Sequence, residues 1–303
     1  MVKINPKTSS DIIGGVKSIY EGFSDFSIYS TDSVIFNSFD IESIMELKFY
    51  KKDQIKPGTI EKFIANDSSR LVFNFFYPLL SMYKGENSLF IYDVEFNHVH
   101  FEWQPPKTTT SPIDAILISD KSKIVYFLEC KYQEPLSSNP FSFSTSYFDI
   151  LSNKKQKFVL DIIKPLVIRY EQLCLEENIQ YGSGISQNLR QIMTLLMSPD
   201  LFALNKCNPT VKNILINHPK INEYKIWFGN LLFYDSACDN AAGDYFKVSM
   251  DFSNTIRNDF KKLGIYVQDP ISYKDVFKNN IQGYIIEKNG VTLSEYLHHN
   301  YFK

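Results

Sequence analysis

Ser111-Pro-Ile-Asp-Ala-Ile-Leu-Ile-Ser119, then Asp120-Lys-Ser-Lys123, then Ile124-Val-Tyr-Phe-Leu-Glu-Cys-Lys131 is the stretch whose reading decides the fold. Its flanks are rich in Ile, Leu, Val and aromatic residues, and its middle is short, polar and turn-like. That is the pattern of strand, turn and strand. Folded symmetrically about the turn, Ser119 faces Ile124 and Asp114 faces Glu129. Directly opposed residues of an antiparallel pair have Cβ atoms about 4.5–5.5 Å apart. Lys131 lies two residues beyond Glu129 and therefore on the same face. One corner of the sheet is expected to hold two carboxylates and an amine.

Two ionised carboxylates at that separation repel by about 3 kcal/mol at an effective dielectric of about 20. A divalent cation removes the penalty. Carboxylate, carbonyl and water ligands suit magnesium, calcium or manganese, and magnesium takes one or two carboxylates while keeping several waters. Lys131 would then orient or help to deprotonate an attacking water and steady charge on phosphorus. The chain carries its own controls. Glu46-Leu-Lys48 and Glu223-Tyr-Lys225 repeat the Glu-x-Lys spacing, but neither has a Pro-x-Asp upstream. The information therefore lies in the upstream Asp114. The competing structural reading is a salt-bridged surface hairpin.

Asp114 with Glu129-Cys130-Lys131 resembles the PD-(D/E)xK nuclease superfamily. Ser68-Ser-Arg-Leu-Val-Phe-Asn-Phe-Phe76 is similar to a Ser-Ser-Gln…Phe-Asn-Phe-Phe helix of one bacterial branch of restriction-endonuclease-like proteins. Glu129-Cys-Lys-Tyr-Gln-Glu134 is similar to that branch's Glu-x-Lys-Tyr-x-Glu, and Gln187-Asn-Leu-Arg190 resembles its Gln-x-x-Arg helix. The likeness runs from about Ser68 to Met197, and Arg70 departs from it where Gln is expected. The resemblance implies an α/β fold, a restriction-endonuclease-like mixed central β-sheet flanked by helices. It implies a metal-dependent DNA endonuclease that leaves a 5′-phosphate. Asp114, Glu129 and the backbone carbonyl of Cys130 would hold Mg2+, with Mn2+ as a substitute, and Lys131 would be catalytic. Nucleases of this kind often add an upstream acid. Glu102 is the choice here, with Glu61 as its rival and Glu95 a further candidate. Gln187 and Arg190, three residues apart on one helix face, would contact phosphate or support Glu129 and Lys131.

Composition bounds the rest. The 303 residues include 44% hydrophobic and 15% aromatic side chains, with 25 Phe and 19 Tyr, ample for a Phe-rich core. A formal net charge of −2 does not advertise nucleic-acid binding, although a nuclease needs its cations only in one cleft. Cys130, Cys174, Cys207 and Cys238 stand singly, so a Cys-x-x-Cys zinc site is not expected, and the usage suits a reducing cytoplasm. Neither a signal peptide nor a membrane span is expected. No phosphate-binding Gly-x-x-x-x-Gly-Lys-Ser/Thr loop occurs, so no nucleotide cofactor is expected.

Along the chain, residues 1–56 read as an N-terminal extension with a helix over 9–23 and a strand-like piece over 33–39. Residues 57–200 read as the nuclease core, and 201–303 as C-terminal strands and helices packed on it, supplying DNA recognition or dimer contacts. Helical spacing runs over 59–83. One or two strands fill 89–103, and a long loop with four aromatic residues covers 133–148. Lys154, Lys155 and Lys157 form a basic cluster, either a solvated helix start or a phosphate contact. Helices follow over 157–177, where Pro165 should kink or break the run, and over 185–197. Strands are expected over 222–234 and 264–267, and helices over 270–278 and in the tail from 292. His98 and His100 share one strand face, a pair that would suit a transition metal but lacks a third ligand nearby in sequence. His298-His299 reads as a loose terminal pair.

The reading favoured is a type II restriction enzyme acting on double-stranded DNA, leaning to a homodimer because a palindromic cutter needs two sites. The alternatives are a repair or phage-defence nuclease without fixed sequence specificity, and a catalytically silent nucleic-acid-binding protein of the same fold.

Overall fold

The computed structural model describes Ser68, Leu71, Val72, Phe75, Phe76 and residues 89–103, 113–132, 134–153, 156–197, 218–280, 287–288 and 291–292, with backbone alone at 101–103, 153, 287–288 and 291–292. The expectations for residues 1–56, Glu61 among the core residues, and the tail beyond Thr292 lie outside the described residues.

The hairpin forms in the expected register. β1 (Leu89–Ile91), β2 (Val94–Phe96) and β3 (His98–Trp103) precede β4 (Ile113–Ser119) and β5 (Ile124–Lys131). β4 and β5 pair antiparallel, with Ser119 opposite Ile124 and Ala115 opposite Leu128. The ladder ends at that pair, and counting one residue further along each strand brings Asp114 level with Glu129. The turn closes on Lys123 at φ 53°, and the Ser119 hydroxyl accepts from the Ser122 N–H at 3.1 Å.

β3 lies antiparallel on the outer side of β4, with His98 opposite Ile118. On the inner side, β6 (Lys225–Leu232) runs parallel to β5 over its whole length. β7 (Ile265–Val267) and β8 (Ile271–Ser272) then pair parallel with successive parts of β6. Between them the Gln268 N–H still donates to Phe228 at 2.8 Å, whereas Pro270 has no N–H to give. The result is a mixed six-stranded sheet. Strands from beyond residue 200 stand in the same sheet as the hairpin. β1 and β2 form a separate small hairpin, turned by Tyr92 and Asp93 at φ 50° and 61°. Two adjacent left-handed residues make the turn that suits strand twist, here without the glycine that would have marked it in the sequence.

Every residue of β4 and β5 is buried, as expected of central strands covered on both faces. On one face Ile116, Ile118, Val125, Phe127 and Phe228 enter the main core. Over them lie α1 (Ser146–Asn153), α2 (Lys157–Glu176), α3 (Ser183–Met197) and α4 (Ala241–Lys262). Each fully buried side chain of this kind contributes on the order of 1.5–3 kcal/mol. Edge-to-face rings lock the helices together, Tyr170 of α2 against Phe252 of α4 at 5.2 Å and Tyr181 against Tyr245 at 5.0 Å. On the opposite face Tyr126 stacks with Phe96 and Trp227. Phe75, itself helical, meets Tyr273 at the head of α5 (Tyr273–Asn280). A last pair, β9 (Glu287–Lys288) and β10 (Val291–Thr292), stands apart.

Several elements depart from the sequence reading. α2 runs unbroken through Pro165. Part of the expected long loop, from Ser146 onward, is α1, and Phe141, Phe143, Tyr147 and Phe148 pack against the core. Residues 271–272 extend the sheet before α5 begins. α4, the longest helix among the described residues, has no counterpart in the sequence reading. Its N-terminus is capped by Asn240, whose side chain accepts from the Ala242 and Gly243 N–H groups.

Candidate active site

In an antiparallel pair, facing residues share a side of the sheet, and in a parallel pair so do residues in register. Asp114 of β4, Glu129 and Lys131 of β5 and Asn230 of β6 therefore lie on one face, the face that α2, α3 and α4 cover. They sit where β5 and β6 end, and open α/β sheets bind ligands outside the carboxyl ends of parallel strands. All four are buried: Asp114 is 6% exposed, Glu129 0%, Lys131 4% and Asn230 1%.

The contacts are specific. The Cys130 N–H donates to Asp114 Oδ2 at 2.7 Å, so the acid of one strand is fastened to the backbone of the next. Lys131 Nζ donates to Glu129 Oε1 and, at 3.2 Å, to Gln187 Oε1. Gln191 Nε2 donates to the other oxygen of Glu129. Gln187 and Gln191 are one turn apart on α3. That helix is buried almost all round, with Ile185, Leu189, Ile192, Met193 and Leu196 in the core. A helix so enclosed can carry amides inward only where polar partners meet them, and Glu129 and Lys131 are those partners.

Charge follows from this enclosure. Burial works to lower the pKa of Lys131, but Glu129, Tyr181, Asp114 and Glu134 outweigh it and hold the amine protonated well above its ordinary range. As placed, Lys131 is an ammonium that donates rather than a base. Burial, reinforced by Asp114 and Glu129, pushes the Cys130 thiol well up, which removes it as a nucleophile. Burial also raises the Tyr181 hydroxyl, against the pull of Lys131.

Two stretches quoted for their likeness meet here. Glu134 accepts from the Tyr132 N–H at 2.7 Å and from the Ser68 N–H at 3.3 Å, tying the end of β5 to the helical residue Ser68. The loop after β5 is pinned to the start of α3 by Asn139 N–H to Gln180 O at 3.0 Å and Ser183 N–H to Asn139 O at 3.1 Å. α3 in turn approaches α4 closely. A Cβ built on Gly184 would lie 2.4 Å from the Tyr245 hydroxyl and 2.7 Å from the Tyr181 ring. Gly184→Ala is therefore expected to destabilise the protein by about 1–3 kcal/mol through overpacking, and urea unfolding of the variant measures it.

The remaining sequence candidates fall as follows. Arg190 is half-buried on α3, and its carbonyl accepts from the Thr194 hydroxyl at 3.0 Å. Lys157 is exposed at the start of α2. Lys154 and Lys155 lie outside the described residues, as does the side chain of Glu102, whose backbone belongs to β3. Glu95 accepts from Lys121 Nζ at 3.0 Å, in the turn and so at the far end of the hairpin from Asp114. Gln191 and Asn230 were missed by the sequence reading. The signal for Gln191 was its spacing of one turn from Gln187; Asn230 is placed by a parallel pairing that nothing local announces.

A second polar cluster occupies that far end. Among the described residues, His98, Asp120 and His218 offer atoms within 4.8 Å of one another, a group able to hold a metal ion. Burial tends to raise the pKa of Asp120, but hydrogen bonds from Tyr224 and His218 hold it below the ordinary value. Burial lowers that of His218 against the pull of Asp120. The neighbouring His100 is lowered to about 3, by burial and then by His218 and His98.

A mixed sheet flanked by helices, with an antiparallel hairpin whose aspartate is hydrogen-bonded to the backbone of the Glu-x-Lys segment, defines a restriction-endonuclease-like protein. The chain belongs to the family described as Restriction Endonuclease associating with ARP, whose model matches residues 24–199, more than half of its length. No curated protein and no solved structure matches it.

Proposed function

We propose that this protein is a magnesium-dependent endonuclease that hydrolyses phosphodiester bonds in double-stranded DNA, of the type II restriction class. The family is one of restriction endonucleases, which points to nuclease function and a DNA substrate. The observation that carries the finer reading is the buried cluster of Asp114, Glu129 and Lys131. Two acids and one amine leave a formal charge of −1 in a buried site, and the acids offer the hard oxygen donors that suit magnesium or manganese. Asp114 and Glu129 would hold the ion, with the Cys130 carbonyl beside them. When bound, it would lower the pKa of a coordinated water and stabilise charge developing on phosphorus.

The chain's own groups have separate tasks. Gln187 and Gln191 fix the rotamers of Lys131 and Glu129. The Cys130 N–H orients Asp114. Lys131, held protonated, presents positive charge where the scissile phosphate gains negative charge. No helix among the described residues is long and apolar enough to cross a membrane. Action in the cytoplasm as a homodimer belongs to the same proposal.

Plasmid DNA digested with the purified protein tests this reading. Discrete fragments are expected with magnesium or manganese and none with EDTA. A smear of small products would shift the assignment to a nuclease without fixed sequence specificity. Binding without cleavage in either metal would overturn the enzymatic reading.

A further inference from the structure

We propose that His98, Asp120 and His218 form a second metal site, selective for a divalent transition ion of the zinc class, at the end of the sheet opposite Asp114 and Glu129. Three separate parts of the chain converge there: the first residue of β3, the residue after β4, and the lead-in to β6. His98 Nε2 stands 3.0 Å from Asp120 Oδ2, and His218 Nδ1 stands 2.9 Å from Asp120 Oδ1. Two ligands each about 2.1 Å from a tetrahedral ion are about 3.4 Å apart. The hydrogen-bonded pairs, at 3.0 and 2.9 Å, therefore have to widen by only about half an ångström to admit an ion. Imidazole with carboxylate suits zinc, cobalt or nickel, whereas magnesium and calcium prefer oxygen alone.

Three further observations favour a site over a structural knot. First, the Tyr224 hydroxyl donates to Asp120 Oδ1 at 2.8 Å and in turn accepts from Lys123 Nζ at 3.2 Å. Ligating carboxylates are typically oriented by such outer partners. Second, His218 is 2% exposed, so its ring is held in place with Nδ1 at the carboxylate of Asp120, able to ligate without further ordering. Third, the side chains of His98 and Asp120 remain 41% and 42% exposed, which leaves an ion a way in and room for water ligands. The His100 ring, 6.3 Å from that of His218, stands beside the trio. An ion here would clamp the turn of the same hairpin whose other end carries Asp114 and Glu129, fixing its register from a distance.

Full-length protein stripped with a chelator and titrated with Co2+ tests the site, through the visible absorption of the bound ion and through thermal melting. About one equivalent of Co2+ is expected to give an absorption band that Zn2+ displaces, and either ion should raise the melting temperature by a few degrees. Asp114→Asn should leave both signals intact. His98→Ala and Asp120→Asn, both at partly exposed positions, should weaken Co2+ binding at least tenfold. Unchanged binding in these two variants, loss of binding in Asp114→Asn, or no Co2+ band in the wild type would each overturn the assignment.

Discussion

Asp114→Asn is expected to lower magnesium-dependent DNA cleavage by more than about a hundredfold while leaving the protein folded. The choice of asparagine matters. Asp114 is buried, and its Oδ2 accepts the Cys130 N–H at 2.7 Å. Alanine would leave that donor unsatisfied, at a cost of about 1–3 kcal/mol, and a loss of activity would then not distinguish lost chemistry from a loosened hairpin. The amide keeps the shape and one acceptor oxygen for that N–H, while it removes the charge and exchanges the second oxygen for an NH2 group. Each 1.36 kcal/mol of lost transition-state stabilisation is tenfold in rate, and a metal-ligand charge supplies several kcal/mol. Cleavage rates at saturating magnesium, with melting curves for both proteins, make the comparison. An Asp114→Asn protein that cuts at the wild-type rate would remove Asp114 from the chemistry and with it the nuclease assignment.

The hairpin was legible because everything that determines it is local. Nearly continuous apolar flanks mark two strands, the polar four-residue turn between them sets the register, and Asp114 and Glu129 follow by counting. α3 was legible from its apolar stripe. Its inward amides were not fully so, because a spacing of three and a spacing of four both share a helix face. Gln187 and Arg190 were paired by that rule, but Gln187 and Gln191 are the two that reach Lys131 and Glu129. α4 escaped for a different reason. Tyr245, Phe252, Ile256 and Phe260 keep a helical period, but the buried Ser249 and Ser253 interrupt the apolar face. The signal that remained was Asn240 as an N-cap. His218 joins Asp120 across almost a hundred residues of chain, and no spacing rule reaches that far. Its discovery turned an incomplete His98–His100 pair into a group with a carboxylate.

The pair of Lys131 and Glu129 poses a sharper question, because under the proposed function one contact serves both folding and chemistry. Lys131→Met leaves Glu129 as a buried carboxylate that has lost its cation and keeps the hydrogen bond from Gln191. Breaking a buried ion pair from one side costs about 3–5 kcal/mol, enough to threaten a protein of ordinary marginal stability. Loss of cleavage in that variant would therefore prove little by itself. The double variant Glu129→Gln with Lys131→Met separates the effects. Glutamine keeps an oxygen and an amide within the hydrogen-bonding geometry that Gln191 and Gln187 provide, and methionine fills the volume of the lysine stem without a charge. Replacing both partners of a buried pair by neutral groups of similar size is often neutral or stabilising. The double variant is thus expected to recover most of the stability lost by Lys131→Met, measured by urea unfolding, and to remain as inactive as Asp114→Asn. Recovery of both stability and cleavage would show that the pair only holds the sheet to α3, and the catalytic role of Lys131 would fall.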